Sequence, residues 1–183
     1  MVFPWQRARA LRRAGVLGMN QRNGDFIAKV NPRRLYPLVD DKVRTKTLAE
    51  AAGIRVPELY GVVRIQHEVV QLQALLDGRE DFVVKPVNGS GGNGVLVIVG
   101  KRRDRYRKAS GALLTEDELE HHVSNTLSGL YSLGGQPDAA MIEYRVKIDS
   151  VFEPISHQGV PDLRTVVYRG YPVLAMVRLP TAL

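Results

Sequence analysis

The 183-residue chain contains no cysteine. That excludes a disulfide framework, a thiolate nucleophile and any cysteine-based zinc site, and it fits a cytoplasmic protein. Long apolar runs are missing as well. The longest unbroken aliphatic stretch, Val95 to Val99, falls far short of the about 20 residues that cross a bilayer. There is no internal repeat and no low-complexity tract, so neither a solenoid nor a biased linker is indicated. The 44% hydrophobic and 25% charged shares are those of a globular protein of one ordinary domain or two small ones.

Negative charge is also scarce where the chain begins: no acid precedes Asp25. Residues 1–46 hold 11 Lys/Arg against three acids (Asp25, Asp40, Asp41), whereas the other 137 residues hold 15 against 16. The net charge of +7 and the pI of about 9.9 therefore belong to an amino-terminal arm rather than to the body. MVFPWQRARALRRAG has the arginine content of an organelle-targeting peptide, but it lacks serine enrichment and a long apolar core. Trp5, Ala8 and Leu11 fall at helical spacing, so the reading taken is a basic amphipathic helix that touches the body or an acidic partner.

Residues 1–40 form a basic helical lead-in, expected as two short helices broken by Gly15, Gly18, Asn23-Gly24 and Asn31-Pro32. LVDDKVRTKTLAEAAGIRVPE predicts a helix capped by Asp40 or Asp41, with Val43, Leu48 and Ala51 on its apolar face and Gly53 ending it. LYGVVRI (59–65) predicts a strand and HEVVQLQALLDG (67–78) an amphipathic helix; DFVVKP (81–86) and GVLVIVG (94–100) predict two buried strands. TEDELEHHVSNTLSGLYSL (115–133) predicts a long helix with the capping-box pair Thr115 and Glu118. AAMIEYRV, LRTVVYR and PVLAMVRL are strands, the last two a hairpin turning at Gly170. This mixed order predicts an α+β fold.

Between two apolar runs lies KPVNGSGGNG (85–94), with Gly89, Gly91, Gly92 and Gly94 in six positions. A hairpin needs about two to five loop residues, so this loop is long for a turn. Glycines let backbone N–H groups approach an anion, Lys85 adds a fixed charge, and Asn88, Ser90 and Asn93 add polar side chains. On pattern alone the loop is either a phosphate cradle or an unusually long solvated turn. Unlike a P-loop, its lysine precedes the glycines and no helix follows.

A strand ending in Lys-Pro followed by Gly-Ser-Gly-Gly-x-Gly-Val resembles the nucleotide loop of ATP-grasp enzymes. DDKVRTKTLAEAAGIRVPE, MIEYRV, PDLRTVVYRG and LAMVRLPT resemble, in order, further elements of that superfamily, over about residues 38–181. NPRRLYPLVDDK is similar to α-L-glutamate-ligase-like proteins, relatives of the ribosomal-protein glutamate ligase. The resemblance implies an ATP-grasp fold: residues 41–145 as the first (lid) subdomain and 146–183 as the beginning of the second. It implies ATP bound by Lys42 and Lys85, with Asn88, Gly89, Ser90, Gly91, Gly92, Asn93 and Gly94 as a flap over the phosphates. Tyr144 and Arg145 match the hinge that reads adenine, Glu143 sits beside it, and Asp149 or Glu153 would hold the ribose. Arg164 and Arg178 match arginines facing an acyl phosphate or carboxylate.

The implied chemistry is ATP-dependent ligation of a carboxylate to an amine, with glutamate and a peptide, protein or small amine as expected substrates, an acidic peptide or protein among the acceptors. The magnesium ligands of the superfamily, commonly a Glu-x-Asn beyond the second arginine, would fall past residue 183, so the chain reads as a carboxy-terminally truncated fragment, inactive alone, with no metal residue of its own. The alternatives are a non-catalytic nucleotide-binding protein, or a nucleic-acid-binding module using residues 1–46 and the cluster KRRDRYRK (101–108), which otherwise reads as a solvated hairpin. His121 and His122 read as an exposed helix surface, and His67 and His157 carry no role.

Overall fold

The computed structural model describes residues 4–156 and 159–180. The first three residues of the basic lead-in, His157 and Thr181 lie outside the described residues. Contacts divide the chain into two compact units, Met1–Val39 and Asp40–Leu183.

The first unit has helix α1 (Pro4–Arg13), the single turn α2 (Met19–Gln21) running into a π-helical stretch Arg22–Ala28, and a 3-10 turn Arg33–Leu35. The short α3 (Pro37–Asp40) follows. Asn23-Gly24, expected to break the chain, is absorbed into the π-helical stretch, where a Lys29–Asp25 pair at 3.0 Å links successive turns. None of residues 5–38 is buried, so the described residues of this unit form no core of their own.

The second unit opens with α4 (Lys42–Ala51). The Asp41 side chain caps it by accepting the Arg44 amide at 2.9 Å. Its buried face differs from the expected one. Leu48 and Ala51 are exposed, Val43 is half-buried, and the one fully buried side chain is that of Lys46. After strand β1 (Leu59–Val63) comes a 3-10 turn Gln66–Gln71 and only then α5 (Leu72–Leu76). The β-branched pair Val69-Val70 weakens the α-helical preference of that first turn, yet Val69, Leu72 and Leu76 still bury one face. Strands β2 (Phe82–Pro86), β3 (Leu96–Arg102), β4 (Arg105–Lys108) and β5 (Leu113–Leu114) precede α6 (Glu116–Leu127) and β6 (Ala140–Glu143). The Thr115/Glu118 capping box is formed, but α6 stops at Leu127 because the chain turns at Gly129.

These strands make one antiparallel sheet in the order β1-β6-β2-β3-β4-β5. Strand alternation gives it two different faces. Phe82 and Val84 of β2, Leu96 and Ile98 of β3, and Ala140 and Ile142 of β6 point to one side, where Leu72, Leu76, Leu119 and Val123 of α5 and α6 complete the core. The intervening residues Val83, Lys85, Val97, Val99 and Glu143 point to the other side and line a cavity. Near its edge α4 lies over a smaller cluster in which Val43 packs against Val87, Ala139 and Met141. A separate hairpin, β7 (Asp162–Tyr168) with β8 (Tyr171–Arg178), turns through Arg169-Gly170 as expected, and nearly all of its residues are exposed. The architecture is α+β.

Candidate functional site

The cavity on the open face of the sheet measures about 300 Å³. Val83, Val97 and Val99 make an apolar floor, Val95 and Ala109 one flank, and Tyr144, Arg145, Val146, Ile148 and Val160 the other. Lys85 and Glu143 supply its only charge on the strands that form the floor. An apolar slot with a few convergent polar groups is the usual form of a small-molecule site.

At the cavity wall, one carboxylate joins two lysines. Glu143 is buried; its Oε1 accepts from Lys85 Nζ, and its Oε2 pairs with Lys46 Nζ at 2.9 Å. Burying a lone carboxylate is costly, and two cations satisfy both oxygens. Lys46 donates also to the carbonyl of Pro57. Both lysines belong to elements with their own reason to be there: Lys85 alternates outward on β2, and Lys46 sits one turn after Lys42 on α4.

Lys42, the first residue of α4, reaches the start of the glycine loop. Its Nζ donates to the carbonyls of Val87 (3.1 Å) and Gly89, and its amide to Val87 as well. Burial holds its ammonium below the ordinary lysine value; the Asp138 carboxylate opposes this, and the charge of Lys85 pushes the same way as burial. Asp138 is itself buried and fixes the loop's first residue. It accepts the Asn88 amide at 3.0 Å, the Asn88 side-chain amide at 2.8 Å and the Ala139 amide at 2.7 Å.

The loop is tethered at both ends. Gly89 bridges to Ser132, and a Cβ there would come within 2.8 Å of Pro86 and 3.3 Å of the Tyr131 carbonyl. At the far end Gly94 has φ 73°, and any Cβ would run into the Tyr131 ring. His122 approaches the Gly94 carbonyl through Nε2 at 3.0 Å, and its ring lies 5.4 Å from that of Tyr131. Burial pushes the His122 imidazole below the ordinary histidine value; the bond to Gly94 works in the opposite sense, and Lys108 in the same sense as burial. His122 is thus no exposed helix residue, although its neighbour His121 is. The tip between, Ser90 to Asn93, carries exposed backbone and closes on itself through the Asn93 amide to the Ser90 carbonyl at 3.2 Å.

The expected site residues therefore fall into two groups. Lys85, Glu143, Tyr144 and Arg145 line the cavity, and Lys42 with Asn88 to Gly94 forms the loop system described above. Of the hinge backbone, the Tyr144 amide is taken by the Glu58 carbonyl at 2.8 Å, and the Arg145 guanidinium turns to Asp81 at 2.9 Å. Arg164 and Arg178 do not line the cavity; they share Asp162 on the exposed hairpin, at 3.8 Å and 2.8 Å. The hydrogen bond from Arg178 holds the Asp162 carboxyl below, and the Arg178 guanidinium above, their ordinary values. Asp149 caps the turn Ser150–Phe152, and neither it nor Glu153 lines the cavity. Sequence reasoning missed Lys46, Asp138 and the His122–Tyr131 tether. Only Lys46 carried a signal: it lies one helical turn after Lys42, on the same face of α4.

No group of three or more His, Asp or Glu able to hold a metal ion occurs among the described residues. Asp138, Glu143 and Asp162 are each committed to the donors named above, so these residues do not fit a magnesium site. None of the described helices is long and apolar enough to cross a membrane. Tyr106, the aromatic residue of the basic cluster, is buried edge-on against Phe82 at 5.4 Å and bonded to Gln73, so no base can stack on it.

Residues 21–183 match a family described as sugar-transfer associated ATP-grasp. No curated protein and no solved structure matches the chain.

Proposed function

The chain belongs to the sugar-transfer associated ATP-grasp family, and from that premise we propose that its cavity takes the adenine and ribose of ATP while the loop and two lysines take the phosphates. ATP-dependent ligase-type chemistry is the general activity this membership supports. The observation that carries the reading is the placing of Lys85 and Glu143 at the inner wall of an apolar cavity of about 300 Å³, with Lys42 holding the glycine loop. Val83, Val97 and Val99 offer the flat apolar contact that a purine ring needs. Lys85 and Lys42 offset phosphate charge, and the amide-rich tip can donate to the terminal phosphates.

In the reaction proposed, a substrate carboxylate attacks the γ-phosphorus, ADP leaves, and an acyl phosphate forms. An amine then attacks the carbonyl carbon, inorganic phosphate leaves with the C–O bond pair, and the amine gives up a proton. The chain's own residues position and neutralise, which is what phosphoryl transfer requires, while a loop over the phosphates keeps water from the acyl phosphate. Arg164 and Arg178 are proposed to face the carboxylate substrate. Glutamate as the added amino acid rests on NPRRLYPLVDDK, and the family's association with sugar transfer is the ground for including saccharide-bearing amines among the acceptors proposed.

Titration calorimetry of ATP against the wild-type chain and Lys85→Met tests the reading. The expected result is saturable binding weakened about 100-fold in the variant, the scale of a charge-assisted contact to phosphate. Absent ATP binding, combined with nucleic-acid binding that falls steeply with salt, would replace it with the rival reading built on the basic arm.

A further inference from the structure

Resting on the nucleotide reading above, we infer that Lys46, which lies behind the cavity wall, is a positioning residue: it holds Glu143 so that Lys85 is free to serve the phosphates. Three observations carry this. The first is an asymmetry between the lysines. The Lys46 side chain is 7% exposed and bound to both Glu143 and the Pro57 carbonyl, while Lys85 is 32% exposed and lines the cavity. The second is stoichiometry: Glu143, 3% exposed, gives one oxygen to each lysine, so the group as a whole carries one excess positive charge. The third is reach. Lys42, four residues earlier on the same helix, already contacts the loop carbonyls, so α4 delivers one lysine to the loop and the next to the carboxylate.

The consequence follows from the cost of a buried charge. When an anion draws Lys85 away, Glu143 keeps Lys46 and remains compensated. Without Lys46, Lys85 becomes the sole cation for a buried carboxylate, and every contact it makes with phosphate is opposed by the cost of leaving that carboxylate unpaired. Lys46 thus strengthens phosphate binding without touching phosphate.

The test compares ATP with adenosine, which fills the same slot but carries no phosphate. In Lys46→Met, measured by calorimetry well below its melting temperature, ATP should bind about tenfold more weakly and adenosine within about twofold of wild type. Lys85→Met should show the same pattern, more strongly. In a Glu143→Gln background there is no carboxylate to compensate, so adding Lys46→Met should change ATP affinity by less than about twofold; this pair keeps the test decisive should the single variant fail to fold. Equal loss of ATP and adenosine would assign Lys46 to the framework alone and overturn the inference. So would unchanged ATP affinity in Lys46→Met, or a further tenfold loss in the Glu143→Gln background. A wild-type chain that binds neither ligand would instead remove the nucleotide reading, and this inference with it.

Discussion

Strands β2 and β7 carry the same kind of sequence, aliphatic residues with one cation among them, and meet opposite surroundings. In β2, Phe82 and Val84 are backed by α5 and α6 through the main core, and Lys85 is directed to a cavity wall where a buried carboxylate waits. In β7, every residue after Asp162 is exposed, Leu163 at 79%, and Arg164 finds only the shared Asp162 carboxylate. An alternating strand acquires a defined working face only when its other face is packed. That difference separates Lys85 and Glu143, whose proposed roles rest on their place in the cavity, from Arg164 and Arg178, whose proposed roles rest on resemblance.

The comparison can be broken most forcefully at the core. Leu119→Ala, under the sheet, should cost about 2–5 kcal/mol, whereas Leu163→Ala on the hairpin should stay within about 0.5 kcal/mol. Denaturant melts of both variants measure this, and equal losses would mean that the hairpin is packed as firmly as the sheet. A smaller effect belongs to the loop between β2 and β3. Gly94→Ala forces a left-handed residue against the Tyr131 ring and should cost about 1–3 kcal/mol; the matching change at Gly170, left-handed but in open space on the hairpin, should cost less, since backbone strain is then the only penalty.

The smallest effect is a pH dependence confined to the backed region. Burial depresses the folded value of His122 below the free value of 6.5. The stability due to its neutral form is therefore fully present above pH 6.5 and lost as the pH falls through the lower folded value. The melting temperature should decline between pH 7 and 5, and His122→Gln should flatten that slope. The carboxyl of Glu118, held low chiefly by the Thr115 amide, titrates below its free value of 4.5 and stays outside this window.

Much of the fold could be read from the sequence because its signals are local. The alternation in FVVKP and VLVIV, the Thr115/Glu118 box, the Asp41 cap and the turn before Tyr171 are each written in neighbouring residues. The loop and Lys85 were legible for the same reason. What stayed hidden depends on partners far along the chain. Lys46 reads as a solvated helix lysine until Glu143 and the Pro57 carbonyl are folded beneath it. Asp138 reads as a turn residue until Asn88 lies against it, and His122 as surface until Gly94 and Tyr131 reach it. The face of α4 expected to be buried, Val43, Leu48 and Ala51, was misread because the helix buries Lys46 against Glu143 instead and leaves Leu48 and Ala51 exposed.

The strand order β1-β6-β2 has a consequence for how the chain comes to exist. Strand β6 is the last of the six to be synthesised, yet it lies between two of the first, pairing Val63 with Ala140 on one side and Pro86 with Ala140 on the other. In a nascent chain that has emerged only through α6, the edges of β1 and β2 that β6 will fill are unpaired, the situation that invites pairing with the wrong chain. Glu143 is the final residue of that inserted strand. The cavity thus acquires its carboxylate as the sheet closes, and a molecule whose translation stops shortly before it lacks the one group that compensates both Lys46 and Lys85.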